Sequence, residues 1–288
     1  MSSLPERVAV FPSRRLGKGP RAAWEDLLAL FTRHRQLTLE MARRELHDRY
    51  LGQVFGIAWA LLHPLVLMAV YVLVFGFIFK VRLGGTSELP LNYTVYLLSG
   101  LIPWLTFQES LAKSATVIPG NASLVKQVIF PVEVLPVKAV LASLATQAVF
   151  VVLLAAYVLV AYGFVPATYL LLPVLMAVQG LFMIGIAYLV SAVSVYFRDI
   201  KDLVQVFAVA GVYLIPAFYL PESVPAVFRP VLYLNPVSHL IWCYQDILFF
   251  GRIEHWWAWA VMIPMSAACF YGGHRVFNKL RTMFGNVL

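Results

Sequence analysis

The residues of this chain that could take part in chemistry lie mostly in short polar segments between long apolar ones. One such segment, residues 117–136, carries Lys126, Glu133 and three prolines. The sequence contains no phosphate-binding G-x-x-x-x-G-K-S/T loop, no H-E-x-x-H zinc motif, no G-x-S-x-G nucleophile motif and no carboxylates at metal-ligand spacing. Enzymatic activity in this chain is therefore not expected.

A second set of polar residues, Glu222, His239 and Asp246, leaves one catalytic alternative open. A membrane-embedded glycan-modifying enzyme would need paired acidic or histidine side chains facing a cavity.

The chain has two cysteines, Cys243 and Cys269, which show neither C-x-x-C nor Cys/His spacing. They predict buried thiols rather than a disulfide framework or a zinc site.

Composition places the chain among integral membrane proteins. Of its 288 residues, 61% are hydrophobic and 12% charged, and the mean hydropathy is +0.80. Soluble domains have about 45–50% apolar and about 25% charged residues. The net charge of +8 is not gathered on a soluble domain, which argues against binding to nucleic acid.

Apolar runs of membrane-spanning length recur and predict an all-α polytopic membrane protein with six transmembrane helices. The predicted spans are residues 56–79, 93–111, 137–162, 169–197, 203–220 and 256–273. Residues 221–254 are partly apolar but contain Asn235, Pro236 and Asp246. We predict that this part, the gate segment, forms outer re-entrant helices before the sixth span.

The distribution of basic residues orients these spans. On the N-terminal side of six spans lie 18 lysines and arginines, whereas the opposite side has 4. The positive-inside rule then puts both termini in the cytoplasm. A seventh span within residues 221–254 would instead export Arg275, Lys279 and Arg281.

The chain before the first span divides into two parts. Residues 1–22 contain no apolar core of a signal peptide and are expected to form a flexible cytosolic tail. Residues 23–55, the interface region, show helical amphipathicity with basic residues on the other faces, which is typical of a helix lying in the membrane interface. Their apolar stripe consists of Trp24, Leu27, Leu28, Phe31, Leu39, Ala42, Leu46 and Tyr50. A soluble helical hairpin packed on a partner is the alternative.

Ionisable residues are nearly absent from the interior of the predicted spans, because Glu109 and Lys138 lie near span ends. Ion-coupled transporters place such groups near the bilayer midplane. If the chain forms a pathway for a solute, a separate protein that hydrolyses ATP is therefore favoured over ion coupling as the energy source. A channel without a motor is a further alternative.

Four motifs resemble those of a known family. They are L-S-G-L-I-P-W at 98–104, N-A-S-L-V-K-Q-V-I-F-P-V-E-V-L-P at 121–136, Y-F-R-D-I at 196–200 and L-N-P-V at 234–237. In this order they resemble the type-two ABC permeases that export O-antigen, capsular polysaccharide or teichoic acid. The resemblance covers the chain from about residue 25 to its end.

The resemblance implies a permease of the bacterial inner membrane that works as a homodimer with two copies of a separate ABC ATPase. The ATPase would bind ATP and Mg²⁺, and this chain would hold no cofactor. The cargo would be a lipid-linked polysaccharide, with periplasmic export partners for capsule-type members. Residues 56–288 would form the six-helix transmembrane domain. A permease for drugs or small lipids is the alternative within the superfamily.

The resemblance also assigns roles to residues. Residues 113–136, the coupling segment, would contact the ATPase through a helix that Pro131 and Pro136 end, leading into the third span. The candidate contact residues are Asn121, Leu124, Val125, Lys126, Phe130, Arg198 and Asp199. An ordinary polar loop, and a structural role for Arg198 and Asp199, remain alternatives.

Two further sets concern the cargo. Aromatic rings offer faces on which sugars stack, and rings near the predicted pathway are candidates for its lining. These candidates are Tyr71, Phe75, Trp104, Phe107, Tyr213, Phe218 and Tyr219, although lipid contact or packing would also explain them. Arg49 and Tyr50 are candidates for binding a lipid phosphate or pyrophosphate head group. Anchoring of Arg49 to ordinary phospholipid is the alternative.

Overall fold

The computed structural model describes residues 20–49, 53–74, 91–127, 131–221 and 224–288. Within these ranges the chain forms α-helices, short 3₁₀ turns and a π-helical turn, Asp246–Phe250, and contains no β-strand, which confirms the all-α class. The α-helices are α1 Pro20–Phe31, α2 Arg35–Asp48, α3 Trp59–Tyr71, α4 Tyr93–Val117, α5 Ala122–Gln127, α6 Val134–Tyr162, α7 Leu172–Ser194, α8 Ile200–Ala210, α9 Arg229–Leu234, α10 Pro236–Gln245, α11 Trp256–Leu280 and α12 Phe284–Val287.

Helix α4 is the core of the bundle. Most of its 25 residues are buried, and it packs against α6, α7, α8 and α10. The Asn92 side chain caps its start by accepting a hydrogen bond from the Val95 backbone N–H at 3.1 Å. A helix that is apolar and buried on nearly all sides belongs in an interior. The predicted second span is thus the helix around which the others are arranged.

Two helical stretches in the described part of the chain are long and apolar enough to cross a membrane. They are Val134–Tyr162, with 29 residues, and Ala167–Ser194, with 28. Gly163 separates them with a φ of 76°, the left-handed conformation in which glycine commonly ends a helix.

Helices α7 and α11 approach each other closely because glycines face one another between them. A Cβ atom added at Gly273 would overlap the carbonyl oxygen of Gly185, and one added at Gly185 would overlap the backbone of Cys269. Small residues of this kind allow helix backbones in membranes to come into contact. The sixth predicted span is fixed to the fourth in this way.

The fifth predicted span is shorter than the sequence indicates. Helix α8 ends at Ala210, and a 3₁₀ turn, Gly211–Leu214, follows it. Ile215 then has an extended backbone, with φ −122° and ψ 152°. The cause is Pro216, which lacks a backbone N–H and disfavours the helical conformation in the residue before it.

The interface region contains two helices rather than one. Helices α1 and α2 are joined by a turn at residues 32–34, where the Thr38 side chain donates a hydrogen bond to the Leu30 carbonyl at 3.2 Å. Helix α2 packs along α6, with Ala42 buried, whereas Leu28 and Leu39 remain exposed. The predicted apolar stripe is therefore only partly covered by the rest of the described chain.

The gate segment lies at the end of the bundle where α4 begins. The Tyr96 ring, in the first turn of α4, packs edge to face against the Phe249 ring with ring centroids 5.2 Å apart, and the Thr168 hydroxyl donates a hydrogen bond to the Ile247 carbonyl at 2.7 Å. We call this the Tyr93 end, and the opposite end, where α4 leads into α5, the α5 end. Most of α10 is buried within the described chain.

Candidate coupling site

The coupling segment begins inside α4, because that helix continues to Val117. The Asn121 side chain donates a hydrogen bond to the Val117 carbonyl at 2.7 Å and so satisfies one of the carbonyls left free at the helix end. A 3₁₀ turn, Pro119–Asn121, leads directly into the short helix α5. The chain thus turns back within a few residues at the α5 end.

The structure divides the predicted contact residues of this segment. Lys126 is exposed, and Asn121 and Leu124 are half-buried. Val125, predicted to face the motor, is only 2% exposed and belongs to the core of the chain. The short helix has one apolar face, and its own chain covers that face. Phe130 lies outside the described residues.

Pro136 does not end a helix before the third span, as the sequence suggested. Helix α6 begins at Val134, so Pro136 lies in its first turn. The first-turn N–H groups of a helix have no partner within the helix, and a proline is tolerated there. Helix α6 therefore begins three residues before 137, the predicted start of the third span.

A contact with the C-terminal helix was not foreseen from the sequence. Helix α12 packs against α5, and Arg281 forms an ion pair with Glu133, next to the start of α6. Phe284 is buried beside Phe277 and Tyr196. Burial lowers the pKa of the Arg281 guanidinium, and the Asp26 carboxylate opposes that shift.

Five charged side chains form an ion cluster between α2, α4 and α6. Glu45 lies 3.1 Å from the Lys138 ammonium and 3.8 Å from the Lys113 ammonium. Glu109 lies 3.0 Å from Lys113 and is also paired with Arg49. Cations and anions alternate along this chain of contacts, so every described member has an opposite charge beside it. Sequence spacing could not reveal it, because its members come from three separate helices.

Arg49, a candidate for binding a lipid head group, belongs to this ion cluster. Besides Glu109, its guanidinium reaches the Thr146 hydroxyl on α6 at 3.3 Å. Its side chain is 25% exposed, so part of it stays accessible. Tyr50, its predicted companion, lies outside the described residues.

Arg198 and Asp199 lie in the turn that joins α7 to α8, and both are exposed. The Asp199 carbonyl accepts hydrogen bonds from the backbone N–H groups of Asp202 and Leu203, at 3.1 Å and 3.0 Å. The backbone of Asp199 therefore begins α8, while the two charged side chains face outward.

Two of the candidate channel aromatics are buried within the described chain. Trp104 is 1% exposed and packs against Phe207, with ring centroids 5.7 Å apart. Phe107 stacks on Phe182 of α7 at 5.8 Å. Both belong to the core helix α4, whose faces are covered by neighbouring helices.

Other members of that aromatic set come together on the surface. Tyr213 is 68% exposed and stacks on the half-buried Phe218, with ring centroids 6.0 Å apart. The Tyr219 hydroxyl donates a hydrogen bond to the Tyr213 carbonyl at 2.8 Å. We call Tyr213, Phe218 and Tyr219 the aromatic patch. Tyr71 is half-buried on α3. Phe75 lies outside the described residues.

A buried amide cluster joins the gate segment to the spans. The Gln147 side-chain amide of α6 donates to the Gln179 side-chain oxygen of α7 at 2.9 Å and to the Tyr244 hydroxyl of α10 at 2.7 Å. All three residues are fully buried. Side-chain hydrogen bonds of this kind hold helices together where water is excluded. In the sequence, the only indication of this cluster is that Gln147 and Gln179 each stand alone in a long apolar run.

The polar residues considered for a glycan-modifying enzyme do not form one site in the described chain. Asp246 is fully buried and accepts hydrogen bonds from His255 Nδ1 at 2.7 Å and from the Trp259 indole at 3.0 Å. His239 instead contacts the Tyr233 carbonyl at 2.9 Å, and Glu222 is not among the described residues. The same residues contain no group of three or more side chains that could hold a metal ion. The Asp246 carboxylate also accepts a hydrogen bond from the backbone N–H of His255, the residue before α11, at 3.1 Å, and so holds the chain that enters this helix.

Comparison with known families identifies the family of the chain. Residues 36–249 match the family model described as ABC-2 type transporter. The chain belongs to this family. Members of the ABC-2 type transporter family are transport subunits in membranes and not enzymes.

Individual relatives narrow the likeness further. The O-antigen export system permease protein RfbA of Myxococcus xanthus is 27% identical over 254 residues, which cover 87% of this chain and 95% of the relative. Two proteins of the same name from Klebsiella pneumoniae are 25% and 26% identical, each over 88% of this chain and 95% of the relative. The resemblance drawn from the four motifs is confirmed.

Proposed function

We propose that this chain is the membrane-spanning permease subunit of an ATP-driven exporter that moves a lipid-linked polysaccharide, of O-antigen or capsular type, across the cytoplasmic membrane. The observation that carries the proposal is the match to O-antigen export permeases over 95% of their length. The family match at residues 36–249 includes the whole coupling segment and most of the gate segment.

In this proposal the chain crosses the membrane six times, through α3, α4, α6, α7, α8 with its 3₁₀ turn, and α11. The α5 end and both termini face the cytoplasm, and the Tyr93 end faces outward. The burial of α10 supports a re-entrant gate segment, because backbone at membrane depth needs protein around it unless it forms a complete span. Helices α1 and α2 lie in the interface, with Leu28 and Leu39 toward lipid.

ATP hydrolysis belongs to a separate ABC ATPase, of which two copies bind a homodimer of this chain. The coupling segment contacts the ATPase through the exposed Lys126 and the half-buried Asn121 and Leu124, together with Arg198 and Asp199. This surface carries the exposed Lys126, Arg198 and Lys201 beside the exposed Asp199 and Asp202, so it offers charges of both signs to the partner.

The aromatic patch supplies ring faces for the glycan, and the homodimer encloses the pathway between two such patches. Flat ring faces attract the apolar faces of sugars without selecting one sugar, which suits a long polymer that must slide. Arg49 meets the phosphate or pyrophosphate of the lipid anchor, since guanidinium groups bind phosphate through paired hydrogen bonds.

The experiment is reconstitution of the purified permease in liposomes with the ABC ATPase of the same exporter. We expect the permease alone to hydrolyse no ATP, and the pair to copurify and to move lipid-linked glycan to the opposite leaflet when ATP is added. Lys126→Asp should weaken ATPase binding about tenfold or more, because a reversed charge at an interface costs several kcal/mol.

Arg252→Asp is the matched control, because it reverses an exposed charge at the Tyr93 end. Its binding to the ATPase should equal that of the wild type. Glycan movement without ATP, or ion conductance in liposomes that lack the ATPase, would identify a channel and overturn the proposal. Equal effects of the two variants would overturn the coupling assignment alone.

A further inference from the structure

Glu45 of the interface region contacts both stems of the coupling segment, which are the end of α4 and the start of α6. Its two carboxylate oxygens lie 3.8 Å from the Lys113 ammonium and 3.1 Å from the Lys138 ammonium. Lys113 lies in the last turns of α4, and Lys138 lies in the second turn of α6. The chain leaves the bundle after the first lysine and returns before the second. The Glu45 carboxylate on α2 thus bridges the end of α4 and the start of α6, the two helices on either side of the coupling turn.

The charges make this contact specific. The Lys113 and Lys138 side chains are only 23% and 11% exposed, so water screens them weakly. Two ammonium groups near one another repel, and the carboxylate between them removes that repulsion. Loss of the carboxylate would leave two partly buried cations without this partner, which favours separation of the stems.

A second bridge restricts how α2 can move. Glu109 of α4 contacts Lys113 and is also paired with Arg49, which directly follows α2, keeps a helical backbone conformation and lies four residues after Glu45. Residues four apart occupy the same face of a helix, about one turn from each other. Helix α2 is therefore held at two successive positions, and rotation about its axis would break at least one of them.

We propose that Glu45 is a positioning residue that locks α2 to both stems of the coupling segment, so that a displacement imposed on α5 moves the interface region as one body with α4 and α6. This inference rests on the proposed function, because it assumes that the ATPase acts on the coupling segment. Movement of the ATPase is then transmitted through Glu45 directly to Arg49 and the membrane interface. It does not have to pass through the ends of the spans that lie far from α5.

The test measures the ratio of glycan exported to ATP hydrolysed in proteoliposomes that contain permease and ATPase. Glu45→Gln should keep complex formation and ATP hydrolysis but lower this ratio about fivefold or more, the lower range for coupling between sites. Asp48→Asn is the control, since Asp48 lies on the same helix and pairs with Arg44 at the exposed surface. It should behave as the wild type does.

A tether provides the second measurement. In a chain without Cys243 and Cys269, the double variant Glu45→Cys with Lys138→Cys should have a lower ratio of glycan exported to ATP hydrolysed. A bifunctional thiol linker between the two new cysteines should restore this ratio. A merely structural role would lower thermal stability and leave the ratio unchanged, and that result would overturn the proposal. Failure of the linker to restore export would also overturn it. Absence of export from the wild type and Asp48→Asn would instead refute the proposed function.

Discussion

At the scale of single residues, two positions show that local contacts settle roles that residue type leaves open. Asp246 was a candidate for catalysis, yet its carboxylate is fully buried and its hydrogen bonds go to the start of α11. Gly272 and Gly273 are adjacent in α11, but of these two glycines only Gly273 lies against α7. In both cases a neighbour that is distant in sequence decides the role.

Gly273→Ala should destabilise the protein, because the added Cβ atom would overlap the Gly185 carbonyl oxygen and force α7 and α11 apart. Overpacking of this kind costs about 1–3 kcal/mol. The measurement is the thermal unfolding midpoint of the purified protein in detergent.

Gly272→Ala is the matched control, because nothing lies within 4 Å of the position where its Cβ would stand. Alanine favours a helix over glycine by about 1 kcal/mol, so this variant should be unchanged or slightly more stable. Equal midpoints for the two variants would contradict the close contact between the helices.

At the scale of elements, the α5 end is built from parts of the chain that lie far apart. Helix α5 rests on its own chain through Val125 and on the C-terminal helix α12. Six residues make too short a helix to be stable alone, so α5 depends on these contacts. The C-terminal residues thus belong to the structure that presents the coupling segment.

Phe284→Ala should loosen both α12 and α5. The Phe284 side chain is 1% exposed, and the loss of a buried phenylalanine costs about 3–5 kcal/mol, here concentrated at the end of the chain. Hydrogen exchange followed by mass spectrometry should show faster exchange in residues 122–127 and 284–288.

Met283→Ala serves as the comparison, because Met283 is 45% exposed and its removal should change stability by less than about 0.5 kcal/mol. If residues 122–127 exchange at the same rate in both variants, then α12 does not order α5.

At the scale of the whole molecule, the two ends of the bundle differ in chemistry. The α5 end holds the ion cluster, the Glu133–Arg281 pair and most of the lysines and arginines among the described residues. The Tyr93 end holds the gate segment and the aromatic rings around Trp242 and Trp257. Basic residues favour the cytoplasmic side, and tryptophan favours the membrane interfaces.

This asymmetry predicts the orientation in the membrane. In a chain lacking Cys243 and Cys269, single cysteines at the exposed positions Ser123, Ile253 and Lys279 are treated with a membrane-impermeant maleimide. Ile253→Cys should react in intact spheroplasts, whereas Ser123→Cys and Lys279→Cys should react only in inverted vesicles. Labelling of Lys279→Cys from outside would mean a seventh span in residues 221–254.

The sequence by itself determined the all-α class, the membrane character and the family. These depend on composition, on the length of apolar runs and on the order of short motifs, which are local properties of the chain. The same local reasoning predicted a break in the helices after the second apolar run, where the chain forms a 3₁₀ turn and the short helix α5. It misplaced the end of α8 and the start of α6, because the effect of a proline depends on where in a helix it falls.

The tertiary structure alone decided which face of each helix is covered. Val125 and Trp104 have the residue types of a contact surface and a channel lining, yet other helices bury both. The ion cluster joins Glu45 to Lys138 and Arg49 to Glu109 across long stretches of chain. A sequence records only the neighbours along the chain, whereas burial and electrostatic pairing depend on the neighbours in space.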